Sequence, residues 1–114
     1  MKPKGTASVA VYADVLNALG AESRLRIMRL LLSAHPGGMV VGEIQKELGI
    51  TASTLSHHLD KLHSHRLVDV RREGTFLWYS ARTATLEELL AFLYSECCAR
   101  NHVLDPNAIV QIKK

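Results

Sequence analysis

The segment from Gly42 to His65 constrains the fold of this chain more than any other part of its sequence. Apolar residues recur at helical spacing in its first part and predict a helix from about Val41 to Leu48. Gly49 stands where helices commonly end in a left-handed residue, and Thr51 is a good N-cap for the next helix. That second helix is predicted from about Ala52 to His65, with an apolar stripe formed by Ala52, Leu55, Leu59 and Leu62. Two short helices joined by a three-residue turn match the helix-turn-helix pattern.

The side of the second helix that faces away from this stripe carries short polar groups. Because the second helix of a helix-turn-helix lies in the major groove, we predict that this side contacts DNA. The candidate contacts are Ser53, Thr54, Ser56 and His57 near the start of the helix, with Lys61 placed for a phosphate. Many helix pairs in small helical domains bind nothing, and the two helices alone leave that alternative open.

After Leu67 the apolar pattern changes from helical to alternating, which predicts a β-hairpin directly behind the second helix. Residues 72–75 form its turn around a glycine, and residues 76–80 form a second strand rich in aromatic side chains. A hairpin in this place is a wing. Its candidate contacts to the phosphate backbone or the minor groove are Arg71, Arg72 and Thr75. The alternative for the two arginines is ordinary solvated surface charge.

Charge and length set broader limits on the chain. Its 114 residues correspond to one domain, predicted as a winged-helix and dimerisation part over residues 1–102 and a tail over residues 103–114. The net charge of +3 depends on two lysines in each terminal segment, without which 10 basic residues face 11 acidic ones. Attraction to DNA must therefore come from the distribution of charge. Residues 51–82 carry five basic residues, three acidic ones and four histidines, whereas residues 83–105 carry one basic residue and four acidic ones.

The terminal helices indicate how the chain assembles. A first apolar stripe contains Val9, Tyr12, Leu16 and Leu19. The sequence from Thr85 to Glu88 has a capping-box pattern and predicts a last helix from about Leu86 to Arg100, with Leu86, Leu89, Leu90, Leu93 and Cys97 on one stripe. Such helices either complete the core or pair with a second subunit. Because helix-turn-helix proteins commonly bind DNA as dimers, we predict a homodimer.

Two runs carry a family resemblance, ALGAESRLRIMRLLL and GEIQKELGITASTLSHHLDKLHSHRLVDVRREGTFLWYS. They are similar to the ArsR (SmtB/ArsR) family of bacterial repressors over roughly Tyr12 to Cys98, and the string STLSHHLDKL followed by an REG wing is quite specific to it. The resemblance implies a mainly α winged helix-turn-helix with a β-hairpin wing, homodimeric through its N- and C-terminal helices. It also implies a repressor whose unliganded dimer binds an operator and is released by an inducer, often a metal or metalloid ion. For a dimer we expect this operator to be an inverted repeat.

The same resemblance directs attention to a candidate inducer site. Two of the family's well-known sites are missing, because the first helix of the helix-turn-helix has no cysteine and residues 83–100 contain neither Asp nor His. Some arsenic-responsive members carry an adjacent cysteine pair near the end of the last helix, which Cys97-Cys98 resembles without the third cysteine. Two neighbouring thiolates suit trivalent arsenic or antimony, with His102, a solvent oxygen or a thiol of the partner subunit as candidate third ligand. Redox sensing, another effector and no effector are the alternatives, and no cofactor is required.

Other classes of function have less support in the sequence. Among the four histidines of the second helix only His58 and His65 share a face, two turns apart, which favours DNA contacts or surface positions over a metal site. The chain has no glycine-rich phosphate loop, no metallohydrolase motif and no Ser-His-Asp set that would converge, so we predict that it is not an enzyme. A winged helix used only for protein contacts is the remaining alternative.

Without a signal peptide or an apolar run of ~18 residues, a cytoplasmic location with reduced cysteines is expected.

Overall fold

The computed structural model describes residues 6–100, which are mainly α-helical, as predicted. In chain order the elements are α1 (Thr6–Leu19), α2 (Glu22–Ser33), β1 (Met39–Val40), α3 (Val41–Leu48), α4 (Ala52–Ser64), β2 (Val68–Glu73), β3 (Phe76–Ala81) and α5 (Thr83–Tyr94). The chain divides between Arg82 and Thr83 into two units. His102 and the predicted tail lie outside the described residues. No described helix has the length and apolar character needed to cross a membrane.

The predicted helix-turn-helix is confirmed almost residue for residue. α3 covers Val41–Leu48, and Gly49 caps it in the left-handed conformation with a φ of 65°. The N–H of Gly49 donates to the carbonyl of Gln45 at 2.8 Å, as a helix end of this type requires. Thr51 is extended and caps α4. α4 ends at Ser64, one residue earlier than predicted, with His65 as its C-cap.

The predicted hairpin is also confirmed, but it belongs to a three-stranded antiparallel sheet in the order β1-β3-β2. β1 was not predicted, because two residues are too few to show an alternating pattern. It pairs Met39 with Tyr79 and Val40 with Trp78. The turn of the wing is tighter than predicted. Glu73 pairs with Phe76, so the loop contains two residues and its Gly74 has a φ of 63°.

The core of the first unit gathers around α2, which contacts α1, α3, α4 and β3. Burial of each large apolar side chain in this core stabilises the fold by roughly 1.5–3 kcal/mol. The fully buried large side chains are Ile27, Met28, Leu31, Ile44, Leu55, Leu59, Leu62, Leu67 and Val68. Three of these leucines belong to α4 and hold its inner side, so the opposite side of α4 is left for solvent or a partner.

The predicted apolar stripe of α1 is only partly covered, since Tyr12 and Leu19 are half-buried and the other two residues are exposed. Val9 is 54% exposed and Leu16 is 44% exposed, whereas Val15 and Ala18, which the predicted stripe does not include, are buried. A terminal helix can complete the core or pair with a second subunit. The exposure of Val9 and Leu16 favours pairing with a second subunit.

The prediction for the last helix was wrong at both ends. α5 runs from Thr83 to Tyr94, and Thr85 is a buried residue inside it instead of its cap. The helix begins almost directly after β3 and therefore has no separate capping segment. At its other end the hydroxyl of Ser95 donates to the carbonyl of Phe92 at 2.9 Å, and the N–H of Cys97 donates to the carbonyl of Tyr94 at 2.8 Å. Both bonds reach a carbonyl three positions earlier in the chain, whereas the backbone bonds of an α-helix reach four positions earlier. Residues 95–100 accordingly form turns.

Candidate nucleic-acid interface

α4 presents a line of exposed polar side chains opposite its buried leucines. Positions three and four apart share one face of a helix, so Thr54, His57 and Lys61 lie in one row, with Ser53 and Ser56 in the row beside it. The four predicted contacts in the first half of the helix are exposed, whereas Lys61 is half-buried. A lysine can bury its stem and still place its ammonium group in solvent. The positive end of the helix dipole lies at the same end as the exposed hydroxyls and favours an anion there.

The cap of α4 determines how one of these hydroxyls is used. The backbone N–H of Thr54 donates to the Thr51 hydroxyl oxygen at 3.4 Å, and the Thr51 hydroxyl donates to the Thr54 hydroxyl oxygen at 2.9 Å. Thr54 accepts in this pair, so its own proton remains available to an outside acceptor. Phosphate oxygens and the major-groove edges of guanine, adenine and thymine offer such acceptors.

The wing residues that the sequence grouped together occupy different surroundings. Arg71, Arg72 and Thr75 are all exposed. Arg71 forms an ion pair with Glu73 at 2.9 Å, donates to the carbonyl of Gly37 at 3.2 Å, and lies 5.1 Å from the ring centroid of Trp78. Arg72 lies near the end of the hairpin, where it pairs with Leu77, and Thr75 is in the two-residue turn itself. The role of Trp78 as a platform for an arginine was not predicted.

A contact behind α4 was also missed by sequence analysis. Arg24 of α2 donates to the carbonyl of Ala18 at 2.6 Å and lies 3.3 Å from Nδ1 of His58. Burial lowers the pKa of His58 below its ordinary value, and the charges of Arg24 and His57 lower it further. A neutral imidazole can accept from a guanidinium, so this pair connects α4 to α1 and α2. His58 and Arg24 are 34 positions apart, and no local pattern relates them.

We expect His58 to make the protein less stable at mildly acidic pH. Because its pKa is lowered on folding, the unfolded chain binds the proton more tightly, and stability is lost as the pH falls below the unfolded value of about 6.5. Above that pH His58 is neutral in both states and contributes no pH dependence. His58→Gln keeps an acceptor for Arg24 but cannot titrate. Urea unfolding between about pH 8 and about pH 5 should show a larger decrease in midpoint for the parent than for this variant. Equal decreases would contradict the assignment.

The cysteine pair lies in the second unit, beyond the end of α5. The predicted position of Cys97 on the helical stripe is therefore wrong, because the helix ends at Tyr94. The two sulfur atoms are 3.2 Å apart, both residues are half-buried, and Cys98 has a left-handed φ of 61°. The hydrogen bond with Cys98 raises the pKa of the Cys97 thiol, and burial and the neighbouring charge raise it further.

Among the described residues, the surroundings of the pair supply few other ligands. An open pocket of about 400 Å³ is lined by Glu96, Cys98, Ala99 and Arg100. Within residues 6–100, no three His, Cys, Asp or Glu side chains converge where they could hold a metal ion. The predicted third ligand, His102, lies outside the described residues.

Comparison with known proteins agrees with this architecture. A family model for a helix-turn-helix domain matches residues 19–71. The putative arsenical resistance operon repressor ArsR2 of Halobacterium salinarum is 31% identical over 86 residues, which are 75% of this chain and 71% of that protein. The transcriptional activator HlyU of Vibrio cholerae is 30% identical over 87 residues, which are 76% of this chain and 78% of that protein. A structure of HlyU matches with a TM-score of 0.67 at 28% identity, over 82% of this chain and 99% of that one.

A third relative bears on assembly. The solution structure of Mb0332 from Mycobacterium bovis is that of a homodimeric winged helix-turn-helix DNA-binding domain, a possible ArsR-family transcriptional regulator. It matches with a TM-score of 0.64 at 30% identity, over 91% of this chain and 94% of that one. The fold of these relatives is the winged helix-turn-helix that this chain also has. The chain therefore belongs to the ArsR family of winged helix-turn-helix transcriptional regulators.

Proposed function

We propose that this protein is a transcriptional repressor that binds DNA as a homodimer and is released by trivalent arsenic or antimony. The observation that carries the DNA part is the exposed row of Thr54, His57 and Lys61 on α4, held outward by the buried leucines of the same helix. The width of the major groove admits one helix, and base contacts come from side chains near its N-terminus. Thr54 and His57 would read bases, and Lys61 would meet a phosphate.

The wing adds a second contact in this arrangement. Arg72 and Thr75 are exposed at the end of the hairpin that follows α4 in the chain. Contacts to phosphates fix the register of a protein on the duplex without reading its sequence. Arg72 would therefore contribute to affinity on every sequence, whereas the α4 row would select among sequences.

Dimerisation is supported by apolar surface that each unit exposes. In α1, Val9 and Leu16 share one face and are exposed, and in α5, Leu90 and Leu93 share one face and are exposed. Apolar side chains exposed together on one helix face are typical of an interaction site. A relative with the same fold is homodimeric. A two-fold dimer uses the same patch on both subunits and presents two α4 helices to successive turns of the major groove.

We expect this dimer to select an inverted repeat from a random pool of duplex DNA. The half-site centres should lie ~10–10.5 bp apart, because that is one helical turn. Affinity for the selected duplex should decrease steeply as salt increases, since each lysine or arginine that meets a phosphate releases counterions. Binding-site selection followed by anisotropy titrations at several salt concentrations measures both properties. Enrichment of no sequence, together with weak binding to every duplex, would instead favour a winged helix that contacts only proteins.

The inducer part rests on the geometry of the cysteine pair. Sulfur atoms 3.2 Å apart can reach one ion together, and soft thiolates select trivalent arsenic and antimony over hard cations. A third ligand from His102, solvent or the partner subunit would complete the site. An ion releases a repressor only if it binds the DNA-free state more tightly than the DNA-bound state. Bound to both sulfurs, it would fix the turn that follows α5, the helix proposed to join the two subunits.

A further inference from the structure

Arg71 connects three separate segments of the first unit. Its guanidinium lies over the ring of Trp78 in β3, pairs with Glu73 in its own strand β2, and donates to the carbonyl of Gly37, just before β1. Since β3 is the central strand, the side chain starts on one edge strand, crosses the middle strand and ends beside the other edge. A planar guanidinium with five donors is suited to stacking and hydrogen bonding at the same time.

The segment that Arg71 reaches is itself closely held. Gly38 has a φ of 86°, and a β-carbon there would lie 2.2 Å from the carbonyl oxygen of Tyr79. Its N–H donates to the carbonyl of Ala34 at 3.0 Å. The backbone around Gly37 is therefore packed against β3 and tied to the end of α2. Through β1 it continues without a loop into α3, the first helix of the helix-turn-helix.

The two arginines of the wing leave β2 on opposite faces. Successive side chains of a strand alternate, and directly paired residues of an antiparallel ladder share a face. Arg71 is paired with Trp78, and both lie on the face that also carries the exposed Glu73 and Phe76. Arg72 lies on the other face, which it shares with the buried Val68. Because Val68 and its partner Ala81 on this face are buried in the core, as are the inner leucines of α4, Arg72 extends from the core-facing side of the sheet.

We propose that Arg71 is a positioning residue, which fastens the wing to the Gly37 segment so that Arg72 meets the DNA backbone at a fixed distance from α4. This inference rests on the proposed DNA-binding function. Beyond the pairs made by β1, the described strand pairing of the hairpin from Arg72 to Leu77 is between its own two strands. The contacts of Arg71 limit how far that projecting end can twist. The charge of Arg71 is already balanced by Glu73, 2.9 Å away, so a phosphate would compete with the Glu73 carboxylate for the guanidinium.

The test compares the parent with Arg71→Ala, Arg71→Lys, Arg72→Ala and the double variant Arg71→Ala/Arg72→Ala. Affinity for a duplex selected by the parent is measured over a range of salt. Arg72→Ala should bind about 100-fold more weakly, because removing one charge-assisted hydrogen bond weakens binding about tenfold and the dimer loses one from each wing. The slope of log affinity against log salt should decrease by about 0.9 for each phosphate that the variant no longer neutralises, or about 1.8 for the two wings of a dimer.

Arg71→Ala should show a loss of the same kind, and the double variant should be no worse than Arg72→Ala alone, because Arg71 acts through Arg72. Arg71→Lys should resemble Arg71→Ala, since an ammonium group cannot stack and hold both oxygens at once. Additive losses in the double variant, rescue by lysine, or no effect of Arg71→Ala would each overturn the inference. Because contacts of an exposed side chain contribute little to folding stability, the melting temperature should change only slightly and the dimer content should stay at the parent's value. Failure of the parent itself to select a duplex would instead contradict the proposed function.

Discussion

Leu90→Glu is expected to convert the dimer to a monomer that folds but no longer binds the operator. Leu90 is 47% exposed in the single chain, so a glutamate there remains solvated in the monomer. In a two-fold dimer the same substitution places two charges in one apolar interface. Burying an unpaired carboxylate is strongly unfavourable, and a cost on the order of 4 kcal/mol would weaken dimerisation roughly 1,000-fold. Sedimentation velocity measures the change in mass, and circular dichroism confirms that the helices remain.

A matched control is available in the first unit. Leu25 of α2 is 48% exposed, almost the same as Leu90, but lies on neither of the helices proposed to form the interface. Leu25→Glu should leave the dimer and its DNA affinity close to those of the parent. If Leu90→Glu remained a DNA-binding dimer, or if Leu25→Glu dissociated the dimer equally well, the interface would have been assigned to the wrong helices.

Arsenite is expected to release the parent from its operator and to have no effect on Cys98→Ser. Serine preserves the size of the side chain and the ability to occupy the backbone conformation of Cys98, but its hydroxyl is a poor ligand for a thiophilic ion. Operator affinity without arsenite should therefore be unchanged. For the parent, the coupling between ion and DNA should be about 5–150-fold in DNA affinity, the usual range for such linkage. Anisotropy titrations of the operator with and without arsenite measure it directly.

Cys97→Ser provides a second variant at the same site and should behave like Cys98→Ser, because both sulfurs hold the ion. The double serine variant gives the baseline for any arsenite effect that does not depend on thiols. Release of either serine variant by arsenite as readily as the parent would assign sensing to another ligand. A parent that stays on DNA at arsenite concentrations sufficient to saturate a free dithiol would lead to the same conclusion.

Local signals made α3, the turn and α4 predictable from sequence. Gly49 and Thr51 determine their helix ends through their own backbone conformations, and the buried leucines of α4 recur at helical spacing. β1 was not predictable in this way, since a two-residue strand exists only through its pairing with β3. The end of α5 was misplaced because the hydroxyl of Ser95 competes for a backbone carbonyl, which an apolar pattern does not show.

The candidate site also combines features that follow from local sequence with features that depend on the tertiary fold. Exposure of the α4 row follows from helical periodicity and was predictable. The difference between Arg71 and Arg72 was not, because it depends on the register of β2 against β3 and on the carbonyl of Gly37. The contact between Arg24 and His58 joins residues that only the tertiary fold brings together. Sequence therefore located the surface, and the structure separated the residues that face outward from those that hold the surface in place.

The most direct test of the central claim, that the α4 row reads bases, compares variants on a selected operator and on single-base changes of it. Thr54→Ala and His57→Ala should each reduce the preference for one or two base pairs by about 1–3 kcal/mol, the value of a good base contact. Arg72→Ala should weaken binding to all of these duplexes by the same factor, because phosphate contacts carry no sequence information. If Thr54→Ala and His57→Ala instead left both affinity and base preference at the parent's values, α4 would not be the element that reads DNA.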